Sequence, residues 1–269
     1  MGRSINQGLW RVVVRVALVV ASVGPALPAL AAGRSAVPVS PAVDEGAARY
    51  RACLARVNED PFAAVQEARA WQDAGGGDPA RHCAAAGMLA LGQAAEAAEE
   101  LEQLANAAEA FPDRQAALLA QAADAWLQAG RADRALGALA RALAIRPADP
   151  SLLTEQARAH MELGQSKEAL SDLDRAVDAE PLRAETYVLR AAALRRTGAL
   201  DRAAADVEMA LSLDPRQPDA LLERGLLRRS AGDTAGAVAD WTAVVNDAPG
   251  SAAAEMARRH LAESGHPGG

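Results

Sequence analysis

The chain has 269 residues, 51% of them hydrophobic but only 3% aromatic, and a formal net charge of −7. Arg3, Arg11 and Arg15 lie in a first stretch that holds no acid, so the remainder is more acidic still, which argues against nucleic acid as a partner. Small alanines dominate the apolar set and no sustained alternating run of Val, Ile and Thr is present, so the composition predicts an all-α fold.

The three arginines are followed by an apolar stretch from Val16 to Ala32, broken by Pro25 and Pro28 and carrying Ala29-Leu30-Ala31, an A-x-A cleavage pattern. This predicts a secretory signal peptide over residues 1–31 and a periplasmic product. A retained anchor is the rival reading, but about 17 apolar residues with two prolines fall short of the about 20 a span needs, so no stable membrane anchor is expected after cleavage. Residues 32–43, rich in proline and poor in large apolar side chains, are expected to be a flexible linker.

Residues 44–115 predict two divergent N-terminal helical pairs. Asp44 to Val57 and Pro61 to Asp73 form the first, closed by Gly75-Gly76-Gly77; Asp78-Pro79 opens a helix that Gly92 ends, and Gln93 to Phe111 follows with Pro112 beyond. From there a fixed period takes over. Gly130, Gly164, Gly198 and Gly232 stand 34 residues apart, as do Ala135, Ala169, Ala203, Ala237 and Pro147, Pro181, Pro215, Pro249. Glycine ends a helix by entering the left-handed region without a Cβ clash, and proline stops the next helix, so each unit over residues 116–249 reads as helix, turn, helix. First helices are predicted over 116–129, 150–163, 184–197 and 218–231. Small residues (Ala123, Ala157, Ala191, Gly225) recur opposite larger ones (Leu139, Leu173, Val207, Trp241), as close interhelical packing demands. Gly92 to Gly130 is 38 residues, a four-residue insertion into the period. Residues 250–269 predict a capping helix, Ser251 to Ser264, and a tail.

Residues 116–249 resemble the tetratricopeptide repeat family, whose 34-residue unit favours a large residue at position 4, Gly or Ala at 8, Gly near 15, Ala at 20 and 27 and Pro at 32. The resemblance implies a right-handed α-solenoid of four such repeats whose work is non-catalytic protein binding, as a scaffold or adaptor holding a partner segment in its concave groove. One departure is position 7, usually Leu, which here is Ala122, Gln156, Arg190 and Arg224; the arginines are expected to loosen packing or to reach solvent along their stems. The family lines its groove with positions 2, 5, 9, 12 and 13 of the first helices. The Lys and Asn of its carboxylate-clamp subgroup are missing there. What remains is an apolar strip, Val188, Ala192, Leu222 and Leu226, beside Arg195 and Arg229, which are equivalent on neighbouring repeats. Two guanidinium groups in a row would suit carboxylates on a partner peptide; the alternative is a solvated face whose arginines pair with local glutamates.

Cys53 and Cys83 are the only cysteines and both lie on apolar helix faces, which in an oxidising compartment predicts a disulfide. Two buried thiols acting as small hydrophobes are one alternative. A thiol or redox-active protein using Cys53, His82 and Cys83 is another, although sequence neighbours on a helix point about 100° apart. His82, His160, His260 and His266 form no H-E-x-x-H and the cysteines no C-x-x-C, so no metal is expected; no phosphate loop or G-x-S-x-G elbow is present, so neither cofactor nor catalytic activity is expected. His160 reads as a packed interhelical residue, and the acidic run Glu96, Glu99, Glu100, Glu102 as a solvent face. Self-association through exposed groove residues is a further structural reading.

Overall fold

The computed structural model describes residues 41–265; the expected signal peptide, the linker as far as residue 40, and the tail from His266 lie outside them. The described chain is an all-α solenoid of thirteen helices: α1 Pro41–Glu59, α2 Pro61–Trp71, α3 Gly77–Ala90, α4 Ala94–Ala107, α5 Pro112–Gln128, α6 Ala132–Ile145, α7 Pro150–Glu162, α8 Ser166–Ala179, α9 Ala184–Arg196, α10 Leu200–Leu213, α11 Pro218–Ser230, α12 Thr234–Asp247 and α13 Ala252–Glu263. Pro41 to Val43, expected in the linker, belong to α1, and Gly75-Gly76 fall within a widened turn, Gln72–Gly76, rather than an open loop. Each helix packs on the next, and the first helices of successive repeats touch in series from α5 through α7, α9 and α11 to α13.

The spaced glycines set these turns. Gly130, Gly164, Gly198 and Gly232 all have positive φ, between 68° and 85°. In each, the amide of the following residue donates to the carbonyl five residues back, as Arg131 does to Trp126 (2.8 Å) and Asp233 to Arg228 (2.9 Å). This is the left-handed closure that captures carbonyls left open at a helix end. The four-residue insertion lengthens a first helix instead of a loop: α5 has 17 residues where α7, α9 and α11 have 13, because Pro112 starts it a turn early.

Between the two helices of a repeat, side-chain sizes are complementary. Ala123, Ala157, Ala191, Leu139, Leu173, Val207 and Trp241 are all sealed from solvent, and Gly225 is buried with them. A Cβ on Gly225 would fall 2.3 Å from the Trp241 indole nitrogen, so only glycine admits the tryptophan.

The arginines at the seventh place behave differently from the expectation. Arg190 forks onto Asp206 with two 2.8 Å hydrogen bonds and donates to Asp174 of the preceding repeat at 2.9 Å. Arg224 likewise grips Asp240 (2.7 Å to Oδ1), which Arg228 also reaches at 2.8 Å. These pairs lie between the helices: the side chains of Arg190 and Asp206 are 17% and 10% exposed, those of Arg224 and Asp240 26% and 5%. One repeat earlier Gln156 donates its amide to Asp172 (3.2 and 3.1 Å), and in the first repeat the two places hold the buried Ala122 and Ala138. A planar guanidinium between two helices is held in one position by a fork of charge-assisted bonds, so the arginines lock the repeats rather than loosen them. Hydrogen bonding to Asp206 raises the Arg190 pKa against the opposing effect of burial, and Asp240 does the same for Arg224.

Candidate partner-binding groove

Residues two, five, six and nine of α9 and two, five and six of α11 wall one concavity of about 330 Å³. Its floor is formed by Val188, Leu189, Ala192 and Leu222 with the buried Glu223 among them, and its rim is charged, from Arg158, Glu185 and Asp219. Of the residues expected to bind, Val188, Ala192 and Leu222 meet here; Leu226 is buried one turn further along α11 and is not in the wall.

Arg195 and Arg229 do occupy equivalent places, but each already holds a carboxylate two helices on, Arg195 from α9 to α11 and Arg229 from α11 to α13. Arg195 donates to Glu223, whose side chain is only 7% exposed. Arg229 donates to Glu263 at 3.2 Å and lies 5.2 Å over the Trp241 ring. The cationic row is therefore a pair of inter-repeat clamps, and a partner carboxylate would have to displace Glu223 or Glu263. The rim beside it is also compensated: Arg158 bonds Glu185, which takes a second bond from Arg183 (3.2 Å). Burial pushes the Glu155 carboxyl above its usual range; Arg158 works against this, and Asp124 and Glu185 reinforce it. This end of the groove thus offers an apolar floor beside charges that are paired except for the exposed Asp219, an arrangement that binds by desolvating an apolar side chain. Glu185 and Asp219 stand at the second place, which the resemblance assigns to the groove although neither was singled out; Leu189 and Glu223 were missed, and the sixth place of each first helix, about one turn from the second, is the signal that finds them.

Cys53 and Cys83 form a disulfide that ties α1 to α3, with Cα atoms 6.2 Å apart, and both residues are buried. His82 does not serve the sulfurs. It bonds Tyr50 Oη through Nδ1 (2.8 Å) and Gln121 Oε1 through Nε2 (2.7 Å). His160 is held by Gln165 at 2.7 Å and lies 3.6 Å from Asp172.

Among solved structures, the chain is similar to TTC0263, a thermophilic TPR protein of Thermus thermophilus, with 22% identity and a TM-score of 0.55 over 67% of this chain and 94% of that one. It is also similar to MamA, residues 41 to the end, from Desulfovibrio magneticus RS-1, with 24% identity and a TM-score of 0.51 over 59% and 88%. No protein-family model and no curated protein sequence matches the chain. The fold is that of the tetratricopeptide repeat proteins, as the period of its glycines, alanines and prolines implied.

Proposed function

We propose that this chain is a non-catalytic protein-binding scaffold of the periplasm, holding a partner segment against α9 and α11. The observation that carries the reading is the concavity of Val188, Leu189, Ala192 and Leu222, apolar at its floor and closed by the Arg158–Glu185 and Arg195–Glu223 pairs. Those pairs fix the walls before a partner arrives. The segment is then the component that loses conformational freedom, while the scaffold loses little. An apolar side chain seats in the floor, and its flanking backbone meets the paired Arg158 and Glu185 and the exposed Asp219, so recognition rests mainly on shape and burial, with Asp219 left to accept from the segment's backbone. Export is supported by the signal-like leader and by a disulfide that an oxidising compartment would keep.

Affinity capture from periplasmic extract tests this, using the chain from Ala32 onward beside an Ala192→Trp variant. Ala192 is half-buried on the wall, so the indole fills the concavity without opening a core. A partner held by the parent chain and lost by the variant, at matched helicity, supports the reading; equal capture by both removes the site from α9 and α11. Mass determination of the mature N-terminus from fractionated cells tests export, and an intact Met1 in the cytoplasmic fraction would overturn it.

A further inference from the structure

A wider concavity lies towards the other end of the stack. It has a volume of about 530 Å³ and sits between α1, α3 and α5, where the first helices fail to close: α3 and α5 pack less closely than any later pair of successive first helices. Tyr50, Pro79, Leu104, Ala117 and Leu118 give it a mainly apolar lining. Gln121 Oε1 can only accept, so His82 carries its proton on Nε2 and accepts the Tyr50 hydroxyl on Nδ1. That directed chain uses the Gln121 carbonyl and leaves its amide hydrogens available to a ligand at the cavity wall. Arg114 and Asp78, joined at 2.9 Å, add a donor and an acceptor with no net charge. Burial raises the Tyr50 pKa, with the Arg114 guanidinium working against it, so the hydroxyl keeps its proton and donates to His82.

We infer that this concavity is a second recognition pocket that takes a bulky apolar side chain of a peptide together with its own backbone amide, and that the Cys53–Cys83 bridge holds the pocket's α1 wall in place. An apolar body with one acceptor and one donor is what the lining complements: Gln121 and Arg114 for a carbonyl, Asp78 for an amide hydrogen. A charged headgroup finds no uncompensated partner there. The bridge leaves α1 one turn after Tyr50 and enters α3 beside His82, so cutting it frees the two residues that form the polar chain. As a second anchor on one bound segment, the pocket rests on the groove reading above. First helices packed about 10 Å apart place the two concavities about 30 Å from each other, the span of about nine residues of extended chain.

The pocket is tested without any partner, by titrating the isotope-labelled chain from Ala32 onward with N-acetyl-leucinamide and N-acetyl-phenylalaninamide and following amide resonances. Saturable shifts at the Gln121 side-chain amide and around Tyr50 are expected, lost in Ala117→Trp, where an exposed alanine is replaced by an indole that fills the cavity, and kept in Ala192→Trp. Absence of shifts there, or shifts unchanged in Ala117→Trp, overturns the pocket. Reduction of the bridge is expected to abolish the same shifts while the α6–α12 resonances stay in place; retained binding after reduction overturns the role of the bridge. A peptide with two phenylalanines nine residues apart is then expected to bind more tightly than one with them four apart, and the gain to vanish in either Trp variant. Pocket shifts without any two-anchor gain would leave the pocket standing and sink the α9–α11 groove as its companion.

Discussion

The Arg190–Asp206 fork is the interaction whose removal has the most informative outcome. Arg190→Leu leaves Asp206 buried between α9 and α10 with no guanidinium, and an orphaned charge of this kind costs about 2–3 kcal/mol here, at or below the ~3–5 kcal/mol of fully buried broken pairs because a tenth of the carboxylate still meets water. Asp206→Ala costs less, about 1–2 kcal/mol, because Arg190 keeps Asp174 at 2.9 Å on the exposed side. The double variant Arg190→Leu/Asp206→Ala approximates what the first repeat already holds, buried Ala122 and Ala138, and should lose about 1 kcal/mol or less, giving a coupling of about 3 kcal/mol. Arg190 also lies 5.4 Å over the Tyr187 ring, a contact absent from both leucine variants that cancels in the cycle. Urea unfolding followed by circular dichroism on all four proteins, fitted with a nearest-neighbour repeat scheme, supplies the energies. Additive losses, with the double variant as damaged as the sum of the singles, would refute the claim that the arginine and the aspartate act as one unit between the helices.

Gly225→Ala should destabilise by about 1–3 kcal/mol, since its Cβ meets the Trp241 ring, and should shift tryptophan emission; an unchanged midpoint would mean the indole has room that the packing denies. Gly164→Ala is expected to cost about 1 kcal/mol at a φ of 73°, whereas Gly137→Ala, inside α6 with open space around its Cβ, should gain about 0.5–1 kcal/mol in the same unfolding assay. Burial raises the Asp172 pKa against His160 and Arg175, so the folded chain holds this proton more tightly than the unfolded one. Its charge therefore costs stability at neutral pH, and the cost fades as pH falls through the raised folded value and is gone below the ordinary carboxylate value. Asp172→Asn should accordingly be more stable than the parent at neutral pH and indistinguishable in acid, and the opposite pH trend would rule this out. Glu263 is lowered by bonds from His260 and Arg229, so its contribution is present above the ordinary carboxylate value and lost as pH falls through the depressed one. Amide exchange in α13, corrected for intrinsic rates, should rise in acid, and the rise should be absent in Glu263→Gln.

The helix ends were legible because glycine and proline act locally: a positive φ or a missing N–H marks a boundary whatever surrounds it. The insertion was legible as a count but not as a place, since extra residues after Phe111 could have lengthened either the loop or α5. The fork at the seventh place was half-legible. Asp172, Asp206 and Asp240 keep the 34-residue step as strictly as the glycines do, and they stand 16 residues after Gln156, Arg190 and Arg224. Read singly, each aspartate is an unremarkable charge on an amphipathic helix; only the period joined to the facing place reveals a pair. Arg195 was the harder case. Its pairing with Glu223 depends on the register between adjacent first helices, and a surface arginine with a free guanidinium looks the same in sequence as one clamped across a repeat. The apolar floor of the groove, in contrast, followed from a place in the repeat that faces inward whatever occupies it.

The two ends of the stack solve one problem in different ways, and the difference follows from how much apolar surface each terminal helix brings. A helix at the end of a solenoid has a neighbour on one side only, so its docking rests on a single face. α13 buries Ala253, Ala254, Ala257 and Leu261 against α11 and α12, and Arg229, His260 and Glu263 close over Trp241 around them. That seat is broad enough to hold without a covalent link. α1 brings Cys53 as a buried residue, with Tyr50, Leu54 and Val57 only partly covered, and it packs on α2 and α3. So thin a face leaves little to offset the ordering of a 19-residue helix. A bridge across 30 residues removes about 3.5–4 kcal/mol of disorder from the unfolded chain in the chain-entropy account, a contribution the apolar face alone does not match. The bridge therefore belongs at this end on energetic grounds. It also makes α1, and the wide concavity that α1 walls, the part of the molecule most sensitive to reduction, while the groove between α9 and α11 lies several repeats away among contacts that a thiol reagent leaves untouched.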